Sequence, residues 1–131
     1  LYSQQLGRII YSIDPNKVID KEITVFSEEL SYDNISKYHD GAKLEVDKNY
    51  LVPVIAEGMV TYIGEKENYG KVIIIEDVNG ISIWYGNMET TTVKLYDYVE
   101  KNAYLGTVKD EVLYLAYQKD GQFLDYKEYL Q

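Results

Sequence analysis

The sequence predicts an all-β domain, an antiparallel β-sandwich or open barrel with few or no helices. Three observations predict it. Short apolar or alternating runs succeed one another from Lys43 to Leu124. Turn signals, Asn79-Gly80 and Asp120-Gly121 among them, fall between those runs. No stretch carries a long helical periodicity. At 131 residues the chain is long enough for one real core and too short for two.

Taken in order, Lys21 to Phe26 (KEITVF) alternates and reads as a strand. Ser27 to Asp40 is polar and reads as a loop, and Tyr32 to Tyr38 is the one place where a short helix could form. Val52 to Ala56 is apolar, and Gly58 to Gly64 (GMVTYIG) alternates. Lys71 to Glu76 (KVIIIE) is a continuous apolar run, as expected of a strand covered on both faces. Ile81 to Tyr85 follows the Asn79-Gly80 turn. Val99 to Thr107 predicts one or two shorter strands, and Val112 to Tyr117 another. Asp120-Gly121 turns the chain into Gln122 to Leu124, and Asp125 to Leu130 predicts one closing helical turn.

The formal charge is −9. Nucleic-acid phosphates require a basic surface, so nucleic acid is excluded as a partner class. Anionic lipid is disfavoured as a surface for the same reason. The simplest use of the acidity is solubility. With no cysteine, disulfides and thiolate metal sites are excluded. No apolar run reaches the roughly 18 residues of a membrane span, and no signal peptide is visible. The chain opens at Leu1 without a methionine, which reads as a fragment of a longer protein with room for an anchor upstream. The 15 tyrosines admit two readings of equal weight. One is strand propensity. The other is a half-exposed surface suited to protein or sugar contacts.

The residues offer little catalytic chemistry. His39 is the single histidine. A zinc hydrolase ordinarily needs three nitrogen or oxygen ligands, mostly histidine. No G-x-S-x-G elbow is present. Gly58, Gly64, Gly70, Gly80 and Gly86 are spaced as turn glycines rather than as a phosphate loop opening a helix. On this ground alone the chain reads as an acidic all-β binding module.

A resemblance extends that reading. His39-Asp40-Gly41-Ala42-Lys43 stands where LytM-type (lysostaphin-type) zinc endopeptidases carry H-x-G-x-D. Ala56-Glu57-Gly58-Met59-Val60 follows at the place of A-x-x-G-x-V, and Asn68 to Ile75 is similar to the next strand motif, G-x-x-V-x-I. Gly80 to Met88 (GISIWYGNM) resembles G-x-x-T-x-Y-x-H-L. Val93 to Thr107 resembles V-K-x-G-D-x-V-x-x-G-x-x-I-G-T. Leu113 to Leu130 resembles the closing H-L-H-F-E-V segment. Each piece is weak alone, and their order and spacing carry the match. The resemblance implies the duplicated hybrid-motif β fold of these enzymes over residues 39–131, with residues 1–38 as N-terminal strand(s) and loop leading into it.

The same register implies that the zinc site is lost. His39 keeps the place of the first ligand, Lys43 replaces the aspartate, and Tyr114 replaces the third ligand. Asn87 and Val112 take the places of the two further histidines. An ammonium beside a dication costs at least ~1 kcal/mol even in a water-like dielectric, and a neutral phenol is a poor ligand beside imidazole. Only Val108 to Glu111 remains where the enzymes carry a longer loop. The expectation is therefore no cofactor, no metal and no catalysis, with a vestigial groove of His39, Lys43, Tyr85, Asn87, Val112 and Tyr114 open to a partner. A free sheet edge is a second candidate surface.

Within the family, Trp84-Tyr85-Gly86-Asn87-Met88 and the shortened loop resemble the degenerate domains of the stage IV sporulation FA type, and next those of the stage II sporulation Q type. Tyr126, where both have proline, departs from the pattern. This resemblance implies a membrane-anchored, extracytoplasmic domain in the intermembrane space around the forespore. It would bind proteins of a sporulation membrane complex and regulate the protease that processes pro-sigma-K. A channel or zipper role, an inactive activator of cell-wall hydrolases and a peptidoglycan-binding module are the alternatives.

Overall fold

A computed structural model describes residues 29–130. The strand expected at Lys21 to Phe26 lies outside the described residues. Eleven strands follow in order: β1 (Asn34–Tyr38), β2 (Gly41–Glu45), β3 (Leu51–Pro53), β4 (Gly58–Lys66), β5 (Gly70–Asp77), β6 (Ser82–Gly86), β7 (Met88–Thr91), β8 (Tyr98–Val99), β9 (Tyr104–Val108), β10 (Val112–Lys119) and β11 (Gln122–Leu124). A single 3-10 turn, Tyr126–Glu128, closes the chain, and Asp125 caps it by accepting the Lys127 N–H at 3.0 Å. This is the closing turn that the sequence predicts. Among the described residues no helix is long and apolar enough to cross a membrane.

The strands form two antiparallel sheets. The large one runs β1-β2-β10-β6-β5-β4-β8, with β11 folded back on β10, and the small one runs β3-β9-β7. The fold is the all-β antiparallel architecture that the alternating runs predict. Strand alternation assigns each residue to one face. On β10, Leu113, Leu115 and Tyr117 enter the main core, whereas Tyr114 and Ala116 lie on the outer face. On β5, Ile73 and Ile75 face the main core, and Val72 and Ile74 belong to a second, outer cluster with Trp84. Both faces of KVIIIE are covered, as its unbroken apolar run requires.

Two elements differ from the sequence reading. Tyr32 to Tyr38 is not a helix. All five residues of β1 pair in register with β2, from Asn34 opposite Glu45 to Tyr38 opposite Gly41. Cross-strand pairing and the docking of Ile35 on the core outweigh a spacing of Tyr32, Ile35 and Tyr38 that also suits a helix. The segment read as a loop up to Asp40 thus supplies a sheet strand. The second difference is β7, which the sequence does not announce. It is held on β9 through Met88 opposite Val108 and Thr91 opposite Gly106. Gly106 sits at φ +135 where the Thr90 carbonyl occupies the space of a side chain, so only glycine admits this approach.

Candidate functional site

The outer face of the large sheet is built by cross-strand neighbours. Lys43 of β2 lies directly opposite Tyr114 of β10, which lies opposite Gly86 of β6. One step along, Ala116 lies opposite Trp84, which lies opposite Ile74. Because partners on neighbouring strands point to the same side, residues far apart in sequence form one surface.

Aromatic rings dominate that surface. Tyr38 stacks on Tyr114 with centroids 4.2 Å apart and planes 8° from parallel. Tyr69 meets both edge-on, at 5.9 and 6.0 Å, and meets Trp84 at 5.7 Å. Trp84 in turn meets Phe123 at 5.1 Å. Lys66 sets its ammonium 4.5 Å from the Tyr62 ring centre and 5.3 Å from that of Trp84. Hydrogen bonds fix the rings. The Tyr38 hydroxyl donates to the Asn68 carbonyl at 2.8 Å, and the Tyr69 hydroxyl accepts the Asp40 N–H at 3.0 Å. Gly86 is what lets these rings close up, since a side chain there would press on the Tyr69 carbonyl and on Tyr114. Burial, then the neighbouring Tyr38, pushes the Tyr114 phenol above its ordinary pKa, so it stays protonated.

Five of the six residues of the expected groove reach this face or its rim. His39 is exposed in the β1–β2 turn at φ +49, with its ring 4.5 Å from Tyr38 and 6.4 Å from Tyr69. The Tyr38 ring thus touches both His39 and Tyr114. Asn87 and Val112 are joined directly. The Asn87 side-chain amide donates to the carbonyls of Lys109 and Val112, both at 2.8 Å. Only Lys109, Asp110 and Glu111 connect β9 to β10, with Asp110 and Glu111 at positive φ. Asn87 therefore fastens this short connection to the end of β6.

Tyr85 is the exception. It points into the main core, fully buried, and its hydroxyl accepts the Ile55 N–H at 3.0 Å. A one-residue step along β6 separates it from the outer face, which Trp84 occupies instead. Tyr38, Tyr69, Trp84, Phe123 and Lys66 are site residues that the sequence reading missed. Period-two alternation from Gly86 signals Trp84, whereas the other four lie on β1, β4, β11 and the turn before β5, where that alternation does not reach.

Residues 37–126 match the profile of Peptidase family M23. The chain belongs to this family. Solved structures agree on the M23 fold. Csd3 of Helicobacter pylori superposes with a TM-score of 0.68 at 21% identity, over 82% of this chain and 33% of that one. The catalytic domain of lysostaphin, an antimicrobial peptidase from Staphylococcus simulans, gives 0.64 at 18% identity, over 84% and 91%. The catalytic domain of the prophage-encoded protein EnpA from Enterococcus faecalis gives 0.60 at 15%, over 83% and 90%. The M23 domain thus spans about a third of the length of Csd3 and most of each isolated catalytic domain. No curated protein sequence matches it.

An M23 enzyme implies zinc, and the residues here do not fit it. At the three ligand positions that the resemblance assigns, the M23 domain offers one imidazole at His39, an ammonium at Lys43 and a protonated phenol at Tyr114. Zinc takes thiolate, imidazole or carboxylate donors. Among the described residues no three His, Cys, Asp or Glu side chains come together as a metal-holding group.

Proposed function

We propose that this M23 domain is a non-catalytic protein-interaction module. On this reading it belongs to a membrane-anchored sporulation protein and scaffolds or regulates a complex between the forespore and mother-cell membranes. The observation that carries the reading is the stack of Tyr38 on Tyr114, beside Lys43. By the sequence resemblance Lys43 and Tyr114 take the places of two metal ligands, and Tyr38 is stacked on the second of them. The short β9–β10 connection, tied down by Asn87, supports the same reading. Restriction to the stage IV sporulation FA type, and to regulation of pro-sigma-K processing, rests on the sequence resemblance around Trp84 to Met88.

Calorimetric titration of the chain with zinc at neutral pH is expected to give no stoichiometric binding. Tight binding that His39→Ala abolishes would sink the reading. Capture experiments with the full-length membrane protein from sporulating cells are expected to retain other sporulation membrane proteins, and Tyr38→Ala is expected to weaken that retention. The ring cluster favours one second reading, glycan stacking. Retention on peptidoglycan alone, with no protein captured, would select it instead.

A further inference from the structure

The far end of the same outer face carries a different surface. Met59 of β4 lies opposite Tyr98 of β8 on one side and Glu76 of β5 on the other. Together with Val78 they line a shallow recess at the end of the β4–β5 pair. Of the seven exposed large hydrophobic residues among those described, three, Met59, Val78 and Tyr98, line this recess. Val78 and Tyr96 are 76% and 70% exposed, a solvation that core or strand-packing needs do not explain. The stretch with Leu95 and Tyr96 is laid along β4 by two hydrogen bonds. The Tyr96 N–H donates to the Val60 carbonyl at 2.7 Å, and the Val60 N–H donates to the Asp97 carbonyl at 2.8 Å. Tyr96 is held at φ +74, a region that bulky residues avoid. Apolar area concentrated in one exposed patch is a mark of a working surface.

The patch has an acidic rim. Asp77 is engaged by the Asn79 and Ile81 N–H groups, Glu57 accepts from the Tyr98 hydroxyl, and Asp97 accepts from the Lys94 N–H. Glu76 stands exposed between Met59 and Ser82 on the outer face. The charge selects the occupant. A second copy of a chain carrying −9 would set like charge against like, and anionic lipid would be repelled in the same way. We propose that this surface docks an extended basic segment of a protein partner. Apolar side chains of that segment cover Met59, Val78 and Tyr98. A lysine or arginine lays its stem along them and brings its cation to Glu76. This surface is distinct from the aromatic cluster and does not depend on the domain's catalytic status.

The test uses the isotope-labelled 131-residue chain, titrated with a short peptide of alternating lysine and leucine and, separately, with its glutamate-for-lysine counterpart. Expected are amide shifts centred on Met59, Glu76, Val78 and Tyr98 with the lysine peptide only. Glu76→Lys, a change at an exposed position, should weaken the affinity about tenfold, the ratio of one lost charge-assisted contact. Met59→Asp, also exposed, should weaken it as well. Equal shifts from the glutamate peptide, shifts centred on Tyr38 and Tyr114, or no shift at millimolar peptide would each overturn the proposal. So would a concentration-dependent dimer in sedimentation that Glu76→Lys disperses, because the occupant would then be a second copy.

Discussion

Asn87, between β6 and β7, ties the start of β5, the end of β9 and the start of β10 together with one residue. Its N–H donates to the Tyr69 carbonyl at 2.7 Å, its carbonyl accepts the Lys109 N–H at 3.0 Å, and its side-chain amide serves the Lys109 and Val112 carbonyls. It does this at φ +68, where asparagine is tolerated far better than most residues. Asn87→Ala loses the two amide hydrogen bonds and strains the backbone, so it should cost about 2–4 kcal/mol. Asn87→Gly loses the bonds but relieves the strain and should cost about 1 kcal/mol less. Urea denaturation of the two variants checks this, and equal losses would show that the backbone conformation is immaterial. At this scale the sequence was legible only in part. The family register brought Asn87 and Val112 to one place, and they do meet. It could not say that the amide would grip carbonyls, nor that Tyr38, from a segment read as loop or helix, would lie on Tyr114. Tyr85 was misplaced by a single step, because pattern alone does not say which side of β6 faces in.

At the scale of the element, β10 sits between β2 and β6 and has a different role on each side. Leu115 is fully buried in the main core, whereas Tyr114, its neighbour, is half-buried on the outer face. Leu115→Ala should therefore cost about 2–5 kcal/mol by the cavity it leaves, while Tyr114→Ala should cost clearly less. Denaturant midpoints at unchanged m-values measure both, and a Tyr114→Ala loss as large as that of Leu115→Ala would contradict the two-faced packing. The strands rich in branched residues, β4, β5, β6 and β10, were readable because alternation and burial agree. β1 (NISKY) was not, because its one core residue, Ile35, cannot set a period. β7 (METT) was not, because its place is decided by Gly106 on another strand.

For the molecule as a whole, two buried phenols link stability to alkaline pH. Burial is the main cause that pushes Tyr117 up to about 12, and it drives Tyr85 upward as well. The folded chain favours their neutral, protonated forms. The stability they contribute is complete below the ordinary tyrosine value of about 10. It is lost as pH rises from there through the folded value, because the unfolded chain gives up the proton first. Thermal unfolding should thus be insensitive to these groups up to pH ~10 and fall between ~10 and ~12. Phenolate absorbance should show a late phase, above the ordinary tyrosine range, from Tyr117 and Tyr85. Titration of every tyrosine near pH ~10 in the still-folded chain would refute the burial of these two. The whole-molecule fold was the most legible level, since two sheets follow from short alternating strands and their turns. The separation of the two faces has a further consequence for inheritance. Trp84 and Tyr85 are adjacent in the chain yet belong to different clusters, as do Tyr114 and Leu115. Substitutions can therefore accumulate at exposed outward-facing positions such as Met59 and Glu76 while the inward half stays under selection for folding. A lineage can exchange one surface chemistry for another on this scaffold without passing through an unfolded ancestor.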